Sequence, residues 1–190
     1  PECELKESGS TWQPVYSIQY VGIQDYYDLQ VAGTNNYEAN GTYNHNSGKT
    51  RACSEWVRSK VEIEGARHIL LVGTNASNAR DIMVKGPSGI LSICPTARFV
   101  ASERKVVWEN GAEAKILTAE EPEAIRGFST EYAWLDEISS WKYERETWSN
   151  VIACVREGTH PQIAITSTPQ RTSIMKEIES FDDTHLSVST

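Results

Sequence analysis

The feature that most restricts the fold of this chain is a recurrence of short apolar runs separated by stretches with helical spacing. Ile69-Leu70-Leu71-Val72 closes on Gly73, Ala133-Trp134-Leu135 closes on Asp136-Glu137, and Ile163-Ala164-Ile165 closes on Thr166-Ser167-Thr168-Pro169. Runs without polar alternation suit strands covered on both faces, as in a parallel sheet. Between and after them, residues 50–62, Trp141 to Val155 and the stretch from Ile174 read as helices. Alternating strand and helix predict a mostly parallel α/β sheet with helices on both faces. At 190 residues, 39% of them hydrophobic, the chain has enough material for one such core.

Other segments are punctuated by turn chemistry. Lys105-Val106-Val107-Trp108 and Ala114-Lys115-Ile116-Leu117 flank Glu109-Asn110-Gly111 and predict an antiparallel hairpin. Thr74 to Val84 supplies caps and a short helix, and Glu120 to Gly127 a short helix ended by glycine. Val15 to Val21 reads as a strand, and the polar, turn-rich stretch Asn35 to Asn44 as loop. Residues 1–43 are otherwise poorly readable.

Two motifs carry chemistry. Asn46-Ser47-Gly48-Lys49-Thr50 opens the helix of residues 50–62, whose stripe is Ala52, Cys53, Trp56 and Val57. In a phosphate-binding loop, Gly48 lets the backbone approach, Lys49 reaches the β- and γ-phosphates of a nucleotide, and the Thr50 hydroxyl sits on Mg²⁺. The full pattern G-x-x-x-x-G-K-[ST] breaks at its first position, Tyr43. The second motif is the strand ending Leu135-Asp136-Glu137. Ligands of open α/β sheets bind beyond the carboxyl ends of strands, where Asp136 can hold Mg²⁺ and Glu137 can orient and deprotonate an attacking water. The competing reading of each is bland: a chance tripeptide in a loop, and acids at the start of a helix. The Thr166-Ser167-Thr168 end either senses a γ-phosphate through its hydroxyls or simply ends a strand before Pro169.

In order along the chain stand Arg51-Ala52-Cys53-Ser54-Glu55-Trp56-Val57-Arg58, Val72-Gly73-Thr74, Glu120-Glu121-Pro122, Arg126-Gly127, Ala133 to Glu137, Trp141-Lys142-Tyr143 and Thr166 to Pro169. This ordered set resembles the large subunits of tailed-phage terminases, over roughly residues 46 to 180. The resemblance implies a P-loop NTPase of the additional-strand, catalytic-glutamate type, over residues 44–180. Residues 181–190 would begin the linker to a nuclease domain that is absent here, and Pro1 in place of a starting Met suits a fragment. It implies Mg²⁺-dependent ATP hydrolysis driving double-stranded DNA into a procapsid, in a homo-oligomeric ring with a portal protein and a small terminase subunit, in the cytoplasm of an infected bacterial host. By the same resemblance Lys49 and Thr50 match the phosphate and metal residues, Asp136 the Walker B aspartate and Glu137 the catalytic glutamate. Thr166 to Thr168 match a coupling motif, with Thr168 placed to contact nucleotide. Arg126 falls on a basic position before the Walker B strand; it and Arg51 are candidates for the arginine that completes the site. His45 stands where the family commonly has arginine, and Asn44 and Asn46 stand where it has glycine; His45, Asn46 and Ser47 would line the nucleotide.

Composition narrows the rivals. The net charge is −8, whereas a free-standing nucleic-acid binder is more often basic, so DNA contact would come from a local patch or from parts absent here. Cys3, Cys53, Cys94 and Cys154 form no C-x-x-C pair, which argues against zinc and disulfide frameworks and suits a reducing compartment. No secretory signal or membrane-spanning run is visible, and no membrane partner is expected. The six tryptophans read as packing, and Glu120, Glu121 and Glu123 as a solvated helix start. Two other functions stay open: a degenerate nucleotide-binding scaffold that hydrolyses nothing, and a helicase-like translocase without a capsid partner.

Overall fold

A computed structural model describes residues 36–39, 42–45, 48–168, 170 and 172–181, those of 36–45 by backbone alone. The described residues fall into two compact units that meet in sequence between Gly48 and Lys49. In the first, β1 (Asn36–Ala39) pairs antiparallel with β2 (Thr42–His45) as a sheet of two. This corrects the reading of residues 35–44 as loop. Tyr37, Thr42 and Tyr43 have high strand propensity, and Asn40-Gly41 is a hairpin turn signal whose structure lies outside the described residues. Gly48 has φ +70°, a left-handed conformation that glycine adopts without strain. The strand expected at Val15 to Val21 lies outside the described residues.

The second unit is built on a sheet of six strands. They are β3 (His68–Gly73), β4 (Arg98–Val100), β5 (Lys105–Val107), β6 (Glu113–Thr118), β7 (Tyr132–Asp136) and β8 (Gln162–Thr166). Their spatial order is β4-β5-β6-β3-β7-β8. β6, β3, β7 and β8 run parallel, while β4 and β5 add an antiparallel edge. The expected hairpin is β5–β6, with Gly111 at φ +85° in its turn.

Alternation along each strand sends side chains to two cores. On one face Ile69, Leu71, Trp134, Ala114 and Val106 pack with α1 (Lys49–Glu62), a π-helical turn at Asn78–Val84 and α2 (Ile90–Ile93). On the other, Leu70, Val72, Leu117, Ala133 and Leu135 pack with α3 (Glu144–Cys154) and α4 (Ser173–Glu179). Helices on both faces are thus borne out. The expected stripe of α1 is rotated, however. Cys53, Ser54, Val57, Lys60 and Val61 are buried, whereas Ala52 is exposed. The small Ala52 gains little by burial, and the helix instead seats its larger β-branched residues against the sheet. Lys60 is buried by stem rather than charge. Its ammonium lies over the Trp56 and Tyr132 rings and bonds Glu64 at 2.7 Å. The helix expected from Trp141 begins only at Glu144, because the Trp141 ring is drawn into the core, where its Nε1 donates to Asp136 O at 3.0 Å. Trp108, Trp134, Trp141 and Trp148 are all buried, and Cys53, Cys94 and Cys154 are free thiols in the interior.

Candidate active site at the carboxyl ends of β7 and β8

β7 lies between β3 and the edge strand β8, so its last residues emerge at the carboxyl ends of the parallel strands, flanked on both sides. Asp136 is 4% exposed and each carboxylate oxygen has one donor. Thr166 Oγ1 donates to Oδ1 at 2.7 Å, and Asn78 Nδ2 donates to Oδ2 at 3.2 Å. Trp134 Nε1 donates to the same Thr166 hydroxyl at 3.1 Å, which orients its proton toward Asp136. Asn78 is itself held, its Oδ1 accepting from Thr74 N. The approach is so close that a Cβ on Gly73 would stand 2.6 Å from Asn78 Oδ1, so no larger residue fits at 73 without moving the loop.

Burial pushes the Asp136 carboxyl above the usual range; hydrogen bonds from Thr166 and Asn78 oppose this, the Glu137 charge adds to it, and the Lys49 charge opposes it. The folded state therefore holds the proton more tightly than the unfolded chain does. The stability linked to this group is complete below its unfolded pKa and is lost as pH rises through the raised folded value. At neutral pH the buried charge is a cost. In metal-free protein, melting temperature is accordingly expected to fall as pH rises from about 4 to 7, and to fall less steeply in Asp136→Asn, which has no carboxyl to ionise there. Thermal unfolding across that range checks this, and an equal slope in the variant contradicts it.

Glu137 follows in the left-handed region at φ +53°, one of two non-glycine residues there among the described residues. Such backbone costs ~1 kcal/mol or more and persists where surrounding contacts impose it. Those contacts are explicit. Glu137 N donates to Thr166 O at 2.7 Å, Thr168 N donates to Oε2 at 2.9 Å, and Thr168 Oγ1 donates to Oε1 at 3.3 Å. Across from it, Lys49 Nζ stands 4.0 Å from Glu137 Oε1, both side chains being a little over a quarter exposed. The first turn of α1 therefore faces the tips of β7 and β8. Cys53, one turn further along, agrees: its thiol is pushed up to about 12 by burial and then by the charge of Asp136.

The donor set suits a small hard cation. Among the described residues no three His, Cys, Asp or Glu side chains gather into a metal cage. The Thr50 hydroxyl in the first turn of α1 and the Asp136 carboxylate are hard oxygen donors, and Mg²⁺ typically takes one or two protein oxygens alongside phosphates and water.

Of the residues singled out in the sequence, the structure brings together Lys49, Asp136, Glu137, Thr166 and Thr168. It engages Arg51 with Glu55 at 2.7 Å, and Arg126 with Glu123 at 3.0 Å and Asn150 at 3.3 Å. His45 ends β2, while Asn46 and Ser47 lie outside the described residues. Asn78 and Ser139, which the sequence reading left unmarked, also belong to this corner. The signal for Asn78 was its position just after β3, but the sequence does not say that β3 and β7 are neighbours.

The model of the family described as terminase large subunit, T4-like-virus type, N-terminal, matches residues 45–180. No curated protein matches the chain. Among solved structures, an arginine-to-alanine mutant of the Thermus phage P74-26 large terminase ATPase domain is 14% identical with a TM-score of 0.50, covering 70% of this chain and 60% of that one. The N-terminal domain of the DNA packaging ATPase from bacteriophage phi29 is 12% identical with a TM-score of 0.48, covering 70% and 74%. The HK97 bacteriophage large terminase is 19% identical with a TM-score of 0.47, covering 64% and 27%. The chain spans about three fifths of the Thermus phage domain's length. The first of these likenesses carries the fold, which is of the P-loop NTPase type. With the family match extending over most of its length, the chain belongs to the terminase large-subunit N-terminal family.

Proposed function

We propose that this chain hydrolyses ATP with Mg²⁺, as the motor half of a machine that moves double-stranded DNA into a viral procapsid. The observation that carries the reading is the 4.0 Å approach of Lys49 to Glu137 across the end of β7, with Asp136 beside it. A cation and a carboxylate pair brought together at one strand tip supply the charge neutralisation and the base that phosphate hydrolysis needs, the Lys49–Glu137 ion pair opening to admit the phosphate. Lys49 would pair with the β- and γ-phosphate oxygens. Thr50 and Asp136 would hold Mg²⁺, which neutralises charge on those oxygens. Glu137 would accept the proton of the attacking water, its carboxylate aimed by the two Thr168 donors. Arg126 and Arg51 would have to leave Glu123 and Glu55 to approach a phosphate, and both are exposed enough to do so.

Family membership supports DNA as the cargo, and a ring of copies docked on a portal protein with a small terminase subunit as the working assembly, in the infected bacterial cytoplasm. No helix among the described residues is long and apolar enough to cross a membrane. The rival, a scaffold that no longer hydrolyses ATP, draws on one observation: Tyr43 stands where the phosphate loop's first glycine belongs, within β2. Steady-state phosphate release with Mg-ATP separates the two. The motor reading expects release that stops when EDTA removes the metal; release that is absent, or unaffected by EDTA, contradicts it.

A further inference from the structure

The tips of β7 and β8 are tied together by a second set of contacts that the proposed chemistry does not use. After Glu137 the chain makes a 3-10 turn at Ile138–Ser140, and in it Ser139 is only 8% exposed. Ser139 Oγ lies 2.6 Å from Ser167 Oγ and 2.9 Å from Thr168 O, while Ser139 N donates to Ser167 Oγ at 3.2 Å. Ser167 Oγ also lies 3.3 Å from Thr168 O, and the assignment that uses the shorter contacts throughout is the following. The Ser167 hydroxyl donates to Ser139 Oγ, the Ser139 hydroxyl donates to Thr168 O, and the Ser139 amide donates to Ser167 Oγ. Each hydroxyl then donates once and accepts once.

Thr168 is thereby gripped from two sides. Its N–H and hydroxyl hold the Glu137 carboxylate, and its carbonyl is held by Ser139. Thr168 is otherwise exposed and lies two residues beyond the end of β8, so without Ser139 its carbonyl would keep only the longer 3.3 Å contact from Ser167 Oγ among the described contacts. We propose that Ser139 is a positioning residue, a clamp that fixes Thr168 against the β7 tip and so sets where the Glu137 carboxylate points. The inference rests on the hydrolytic reading above for its consequence, but not for its geometry. Ser139 touches no reacting group itself; it acts through Thr168.

Ser139→Ala removes one oxygen at a site with a little solvent access, so the fold should survive; Ser167→Ala is the second variant. Two readouts are needed on the full chain, with Glu137→Gln as reference. The first is the amide exchange rate at Thr168, expected to rise roughly tenfold in Ser139→Ala, the scale set by one net hydrogen bond, with core amides of β3 and β7 unchanged. The second is steady-state ATP hydrolysis. The turnover rate is expected to fall about tenfold in either single variant with KM within twofold, and to fall no further in the double variant, because both residues act through one contact. An unchanged Thr168 exchange rate overturns the clamp, as does wild-type turnover in Ser139→Ala or effects that multiply in the double variant. Should wild type hydrolyse ATP no faster than Glu137→Gln, the hydrolytic reading fails, and the Thr168 exchange rate alone decides the clamp.

Discussion

Glu137→Gln is expected to lower ATP hydrolysis by ~10³-fold while ATP affinity stays within about threefold, the range of loss when a positioned general base is removed. The amide has nearly the same shape. Its oxygen still accepts from Thr168 N, so the left-handed turn at residue 137 and the reach to β8 are kept. What disappears is the proton acceptor and the charge opposite Lys49. Loss of that charge removes one ion pair of Lys49 without removing the lysine's own attraction for phosphate, so ATP should still bind. Phosphate release measured beside calorimetric ATP binding separates the two effects. Equal rates in wild type and variant would remove Glu137 from the chemistry and favour the scaffold.

The largest expected loss of stability comes from Trp134→Ala. This side chain is fully buried in the second-to-last strand of the parallel array, among Cys53 and Val57 of α1, Ile69 and Leu71 of β3 and Met83. Removing a buried indole leaves a cavity on top of the lost transfer energy, ~3–5 kcal/mol in total. Most domains have only ~5–15 kcal/mol to lose. The indole N–H also bonds the Thr166 hydroxyl that points at Asp136, so the site loosens along with the core. Urea unfolding checks the figure, and a loss below ~1 kcal/mol would mean that the packing around β7 is not as described. Trp134→Phe, which keeps most of the volume but no N–H, should be much milder in stability.

The parts of the molecule legible in the sequence are those whose physics is local. β3, β7 and β8 were visible because strands covered on both faces carry unbroken apolar residues, and the β5–β6 turn because Asn110-Gly111 is a strong signal. Lys49, Asp136 and Glu137 were visible because they sit at strand and helix ends, where ligands of such sheets bind. Hidden were the features decided by which elements become neighbours. Asn78 meets Asp136 only because β3 pairs with β7, and Ser139 meets Ser167 only because β7 pairs with β8. The rotation of α1 was missed for the same reason. Spacing gives a helix its stripe, but the sheet beneath decides which edge of that stripe is sealed, and it sealed Ser54 and Lys60 rather than Ala52. The β1–β2 hairpin was read as loop because its polar residues resemble turn composition, although its backbone is extended.

Lys49 and the Asp136–Glu137 pair are expected to bracket the terminal phosphate of a single bound nucleotide. The most direct test of that arrangement is a crystal structure with a non-hydrolysable ATP analogue and Mn²⁺, the metal located by anomalous scattering. The expected result is an Mn²⁺ peak between the Thr50 hydroxyl and the Asp136 carboxylate, with the γ-phosphate bonded to Lys49 and a water between that phosphate and Glu137. A nucleotide seated elsewhere on the chain, or a metal peak away from both Thr50 and Asp136, would contradict it.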